Sequence, residues 1–75
     1  MSHDPPEVDL RGVPCPLNWA RAKVRLEVLA RGERLAFLID DPRSVRDMPR
    51  AAEAEGHVVI DVAELGACWR MLIEK

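Results

Sequence analysis

The sequence predicts an α+β fold: a two-layer sandwich in the order β-α-β-α-β-β, with two helices on one face of a mixed four-stranded sheet. Three observations carry this expectation. The chain has 75 residues, enough for one domain with one thin core, because a chain of this size buries only about 60% of the surface it exposes unfolded. Its four glycines, Gly12, Gly32, Gly56 and Gly66, each stand where an apolar pattern stops or changes period. Between them, strand period and helix period alternate. A chain too short to cover both faces of a sheet places its helices on one face, and right-handed crossovers are expected.

Residues 1–7 read as a flexible tail and 8–75 as a single domain. "EVDLRG" carries Val8 and Leu10 in period two, a short first strand. "PLNWARAKVRLEVLARG" shifts to helical spacing, with Trp19, Ala22, Leu26 and Leu29 on one face and Gly32 just past the end. "ERLAFLIDD" is almost wholly apolar from Leu35 to Ile39, which predicts a central strand. The second helix begins at Asp41 and Pro42, with Val45, Met48 and Ala52 inward, and Pro49 predicts a kink or an irregular first turn. "HVVIDVAE" and "ACWRMLIEK" follow as two strands about "LGA". In the last strand Trp69, Met71 and Ile73 should face the helices, and Cys68, Arg70, Leu72 and Glu74 the open side.

Composition narrows the function. A formal net charge of −2 with 32% charged residues gives no strong field of either sign, which argues against nucleic acid as the main partner. No apolar run approaches the ~18 residues of a membrane span, and "MSHDPPEV" lacks the basic start and apolar stretch of a signal peptide. Neither a membrane nor secretion is expected; the expected location is cytoplasmic and the expected state a monomer. Cys15 and Cys68 belong to no C-x-x-C pair, and His3 and His57 complete no ligand spacing, so neither a disulfide framework nor a metal site is expected. A core this thin has no room to enclose a substrate, so the chemistry should sit at the surface.

The stretch that carries chemistry is "RGVPCPLNW", residues 11 to 19. A residue before proline is pushed toward extended geometry, and proline is favoured at the first helical position. Cys15 is therefore expected to be the N-cap of the first helix, its sulfur facing the N–H groups of Leu17 and Asn18 and the positive end of the helix dipole. Such a thiol should be acidified and reactive. Asn18 is placed to donate toward the sulfur or the loop, as a capping-box residue does. Arg11, adjacent to the loop, either adds positive charge beside the turn or is merely a solvated surface arginine. A cysteine that merely fills space is the bland alternative, and that reading holds for Cys68, placed within the last strand.

"VDLRGVPCP", a helix, the strand start "GERL", then "DDPRSVRDMP", "EGH" and a terminal strand ending in Lys75 together resemble the TusA/SirA sulfur carrier family, from Val8 to Lys75. Several separated pieces agree in order and spacing. The resemblance implies a fold like that of the C-terminal domain of bacterial translation initiation factor three. It also implies a cysteine that accepts a persulfide sulfur from a cysteine desulfurase or rhodanese and passes it to an acceptor protein, with no cofactor. The family motif is Cys-Pro-x-Pro; Cys15 and Pro16 match its first half, and Asn18 stands in place of the second proline. Roles in tRNA thiolation, molybdenum-cofactor supply, or sulfur oxidation or assimilation are all compatible with it.

The first helix has a second apolar stripe, Leu17, Ala20, Val24 and Val28, opposite the Trp19 stripe. If the Trp19 stripe faces the sheet, Leu17, Ala20 and Val24 form an exposed docking patch beside Cys15, framed by Lys23 and Arg25. Two rival functions remain. One is a non-catalytic RNA or protein adaptor using Arg11, Arg21, Lys23, Arg25 and Arg31; it lacks a stacking platform if Trp19, Phe37 and Trp69 are core residues. The other is a thiol redox protein, which without a resolving cysteine forms only mixed disulfides.

Overall fold

A computed structural model describes residues 5–75; the first part of the expected tail and His3 lie outside the described residues. The elements are strand β1 (Glu7–Asp9), helix α1 (Leu17–Glu27), strand β2 (Arg34–Ile39), helix α2 (Pro42–Ala54), strand β3 (Val58–Glu64) and strand β4 (Trp69–Glu74). The sheet order is β1-β2-β4-β3. β1 runs parallel to β2, and β4 runs antiparallel to both β2 and β3. The sheet is therefore mixed, with the apolar strand β2 in its interior, as its sequence predicts.

Register explains which side chains are buried. Phe37 lies opposite both Val8 and Met71, and Leu35 opposite Ile73, so these residues share the helix-facing side. There they meet Ala22 and Leu26 of α1 and Met48 and Ala52 of α2, with Trp19, Leu29, Val45 and Trp69 packed around them. The Trp19 stripe is thus the inward one. Leu17 and Val24 are left 57% and 61% exposed.

Asp41 caps α2, accepting the Arg43 N–H at 2.9 Å, and Pro42 occupies the first turn, where its missing N–H has no cost. The helix is continuous through Pro49. β3 and β4 are joined by a turn in which the Leu65 N–H donates to the Cys68 carbonyl at 2.8 Å. Cys68 therefore belongs to the turn, one residue before β4, and the expectation of a cysteine within the strand is corrected. Gly66, at φ +82, supplies the positive φ that closes the loop. Among the described residues no helix is long and apolar enough to cross a membrane.

Candidate functional site

Cys15 lies half-buried in the turn between β1 and α1, and two neighbouring carboxylates hold that turn. β2 delivers Asp40 and Asp41 to its C-terminal end, where β1 also ends. Both Asp40 oxygens accept the Gly12 N–H, at 3.0 and 3.1 Å. Asp41 Oδ2 accepts the Cys15 N–H at 3.0 Å while Oδ1 caps α2. The two donated N–H groups, Cys15 first, hold the Asp41 carboxyl below the usual carboxylate range. Gly12, at φ +81, permits the chain reversal that presents its N–H to Asp40. Neither aspartate figures in the sequence reading of the site. The signal available was the doubled acid at a strand end directly before the Pro42 helix start.

Three sequence expectations about this turn are corrected. The N-cap of α1 is Pro16, which follows a cis Cys15–Pro16 bond, and α1 begins at Leu17. The Pro14 carbonyl takes the Asn18 N–H at 3.1 Å, so that amide is already used within the turn and is not offered to the sulfur. Among the described residues no hydrogen-bond donor reaches Cys15 Sγ. Asn18 itself is fully buried: its Nδ2 donates to Ser44 Oγ of α2, and its Oδ1 accepts the Trp19 N–H at 2.7 Å. It fastens the two helices together rather than reaching for the thiol.

Arg11 is the third case. Its Nε and Nη2 donate to Asp9 at 2.9 and 2.8 Å, and its N–H reaches the same carboxylate at 3.0 Å. The pair holds the Asp9 carboxyl at about 2 and the guanidinium above its ordinary value. Cys68 and Asp40 act on Arg11 in the same direction as Asp9. The arginine's charge is thus largely matched within its own turn, and it does not stand free beside Cys15.

Beside the turn, an open groove of about 580 Å3 runs between β1 and α1, lined by Val8, Leu10, Leu17, Ala20 and Val24, with Asp9, Arg21 and Arg25 at its borders. Of the expected site residues, Leu17, Ala20 and Val24 line the groove, while Cys15 and Pro16 stand in the turn directly before Leu17 and are not part of its lining. Lys23 is not with them. It points to the other side of α1 and pairs with Glu55, just past the end of α2, at 3.2 Å, so the cations beside the patch are Arg21 and Arg25. The sequence signal was helical phase: position 23 falls about 100° from position 24, on the side of the inter-helix contact.

Chemically, this is a half-buried thiol whose backbone N–H is held by a carboxylate, in the turn that leads into the helix bordering an apolar groove. The family model described as Sulfurtransferase TusA matches residues 6–75. A candidate sulfur carrier protein of Archaeoglobus fulgidus is 42% identical over 69 residues, covering 91% of this chain and 78% of that protein. The sulfur carrier protein TusA of Allochromatium vinosum is 35% identical over 69 residues, 92% of this chain and 91% of that one. The crystal structure of a SirA-like protein from Desulfitobacterium hafniense superposes with a TM-score of 0.80 at 25% identity, covering 92% of this chain and 95% of the other.

Proposed function

This chain belongs to the TusA sulfurtransferase family, and on that premise we propose that it is a sulfur carrier whose Cys15 takes up sulfane sulfur as a persulfide and relays it to an acceptor protein. The observation that carries the assignment to Cys15 is the turn itself. Asp40 and Asp41 hold its backbone, and among the described residues no donor engages the half-buried sulfur, which supports a thiol kept for an incoming partner.

The relay is two displacements on sulfur. The Cys15 thiolate attacks the terminal sulfur of a donor persulfide; a new S–S bond forms on Cys15, the donor's S–S bond breaks, and the donor cysteine leaves as a thiolate. An acceptor thiolate then attacks the terminal sulfur on Cys15, and Cys15 leaves as a thiolate in turn. Each step conserves the S–S bond count, so no outside oxidant, reductant or cofactor enters. The donor is a cysteine desulfurase or a rhodanese, docked with the acceptor on the surface of Leu17, Ala20 and Val24, and the relay takes place in the reducing cytoplasm.

An adaptor role in RNA binding finds no support in the aromatic residues: Phe37 is fully buried, and Trp19 and Trp69 pack against the core, leaving none of the three as a platform for bases. The test is mass spectrometry of the intact protein after incubation with a desulfurase and L-cysteine, or with a rhodanese and thiosulfate. The chain should gain one sulfur atom, removable by a thiol reductant and missing from Cys15→Ser. An unchanged mass with every donor, or a gain that persists in Cys15→Ser, would remove Cys15 from the role.

A further inference from the structure

We propose that the groove between β1 and α1 receives an extended, acidic segment of a partner protein, which adds itself as a strand to the free edge of β1. The inference rests on the reading that the surface beside Cys15 docks a protein, and it specifies the chemistry of the docked segment. Three features carry it.

The first is an edge that no strand pairs among the described residues. β1 is the outermost strand on its side of the sheet. In a parallel ladder the residues that bond a given neighbour alternate along the strand. The Pro6 carbonyl and the Leu10 N–H bond to β2, so the backbone groups of Glu7 and Asp9 point away from it. The opposite edge differs: β3 carries a bulge between Val59 and Asp61, a device that spoils regular pairing, whereas β1 is regular.

The second is the groove's floor. A strand laid against β1 projects alternate side chains toward α1. There they meet Val8, Leu17, Ala20 and Val24, an apolar surface with Leu17 and Val24 more than half exposed.

The third is charge. Asp9 is neutralised by Arg11 at 2.8 Å, while Arg21 and Arg25, one helical turn apart, take part in no ion pair among the described residues. The two unmatched guanidinium groups lie together along one border of the apolar floor. The complementary segment therefore carries acidic residues beside its apolar ones, on its helix-facing side.

The probe is a fluorescein-labelled peptide, Ser-Glu-Thr-Val-Thr-Val-Thr-Glu-Ser, whose glutamates and valines share one face when extended. Anisotropy titrations at low salt should show saturable binding, weakened about tenfold by the paired substitution Arg21→Glu and Arg25→Glu. A peptide with lysine for glutamate should not bind, nor should one with proline for the central threonine, which breaks strand pairing. The Glu7 and Asp9 amides should shift and slow their hydrogen exchange in the complex. Binding indifferent to the charge reversal or to the proline, or no saturable binding at all, overturns the proposal. So does self-association of the chain that Val24→Glu abolishes, since the occupant would then be a second copy. Cys15→Ser should bind the peptide as the unaltered chain does. Peptide binding without sulfur loading would remove the carrier reading alone; sulfur loading without peptide binding would remove this one alone.

Discussion

Asp41 uses one carboxylate for two tasks: it caps α2 through the Arg43 N–H and holds the Cys15 N–H of the turn. Protonation should therefore loosen both at once. Because its folded pKa is lowered, its contribution to stability is fully present above the unfolded value of about 3.9 and is lost as pH falls through the lower folded value. The amide resonances of Cys15 and Arg43 should titrate together at that lower pH, and the gap in melting temperature between the unaltered chain and Asp41→Ala should shrink over the same interval. Separate midpoints for the two amides would show that the carboxylate does not link them. Residue-scale reading of the sequence singles out Cys15 and Pro16 as a turn before a helix, but it sets the helix cap one residue early. It could not locate Asp40 and Asp41, because they meet the turn across 28 and 26 residues of chain, a contact that exists only once β1 and β2 have paired.

At the scale of elements, α1 divides its surface cleanly: Ala22 and Leu26 are fully buried, while Leu17, Val24 and Val28 stand exposed. Truncating Leu26 to Ala should destabilise the fold by about 2–5 kcal/mol through lost burial and the cavity left behind. Val24→Ala should stay within about 0.5 kcal/mol, as surface changes generally do. Urea melts of the two variants decide the assignment, and equal losses would mean that α1 packs by a different face. Helical spacing finds both apolar stripes but does not decide how they are buried; the packing of Ala22 and Leu26 does. The spacing missed Asn18 and Ser44, because hydropathy assigns polar residues to the outside. Each stands four residues before a buried residue of its own helix, Ala22 or Met48, and that phase places both in the inter-helix seam. Their mutual hydrogen bond is what makes such burial tolerable. The Asn18 amide expected at the sulfur is taken instead by the Pro14 carbonyl, in a turn from which α1 starts one residue late.

As a whole, the described chain is a slab of 29 × 29 × 16 Å, one sheet and one helical layer thick, so its chemistry sits at the rim. The sheet's open face is crossed by two ion pairs, Glu7 with Arg70 and Arg34 with Glu74. Both are solvated, and pairs of this kind contribute about 0–1 kcal/mol each. Raising the salt concentration should accordingly change the melting temperature little while weakening any partner held through Arg21 and Arg25. A large fall in stability with salt would mean that the open-face pairs contribute far more than their exposure suggests. The order of elements was legible from glycine punctuation and period, and the one-sided helix layer from the shortness of the chain. The groove was only half legible: its apolar stripe can be read from α1, but its second wall is the edge of β1, which the sequence places nowhere until the strand order is known.

The measurement that bears most directly on the central claim is a single-turnover transfer of radioactive sulfur. Protein loaded from a labelled donor is separated from it, mixed with an acceptor carrying a reduced cysteine, and sampled over time for label on each chain. Label should leave Cys15 as it arrives on the acceptor, Cys68→Ser should transfer at the unaltered rate, and Cys15→Ser should neither load nor transfer. Transfer that survives Cys15→Ser, or stops in a folded Cys68→Ser, would contradict a relay carried by Cys15 alone.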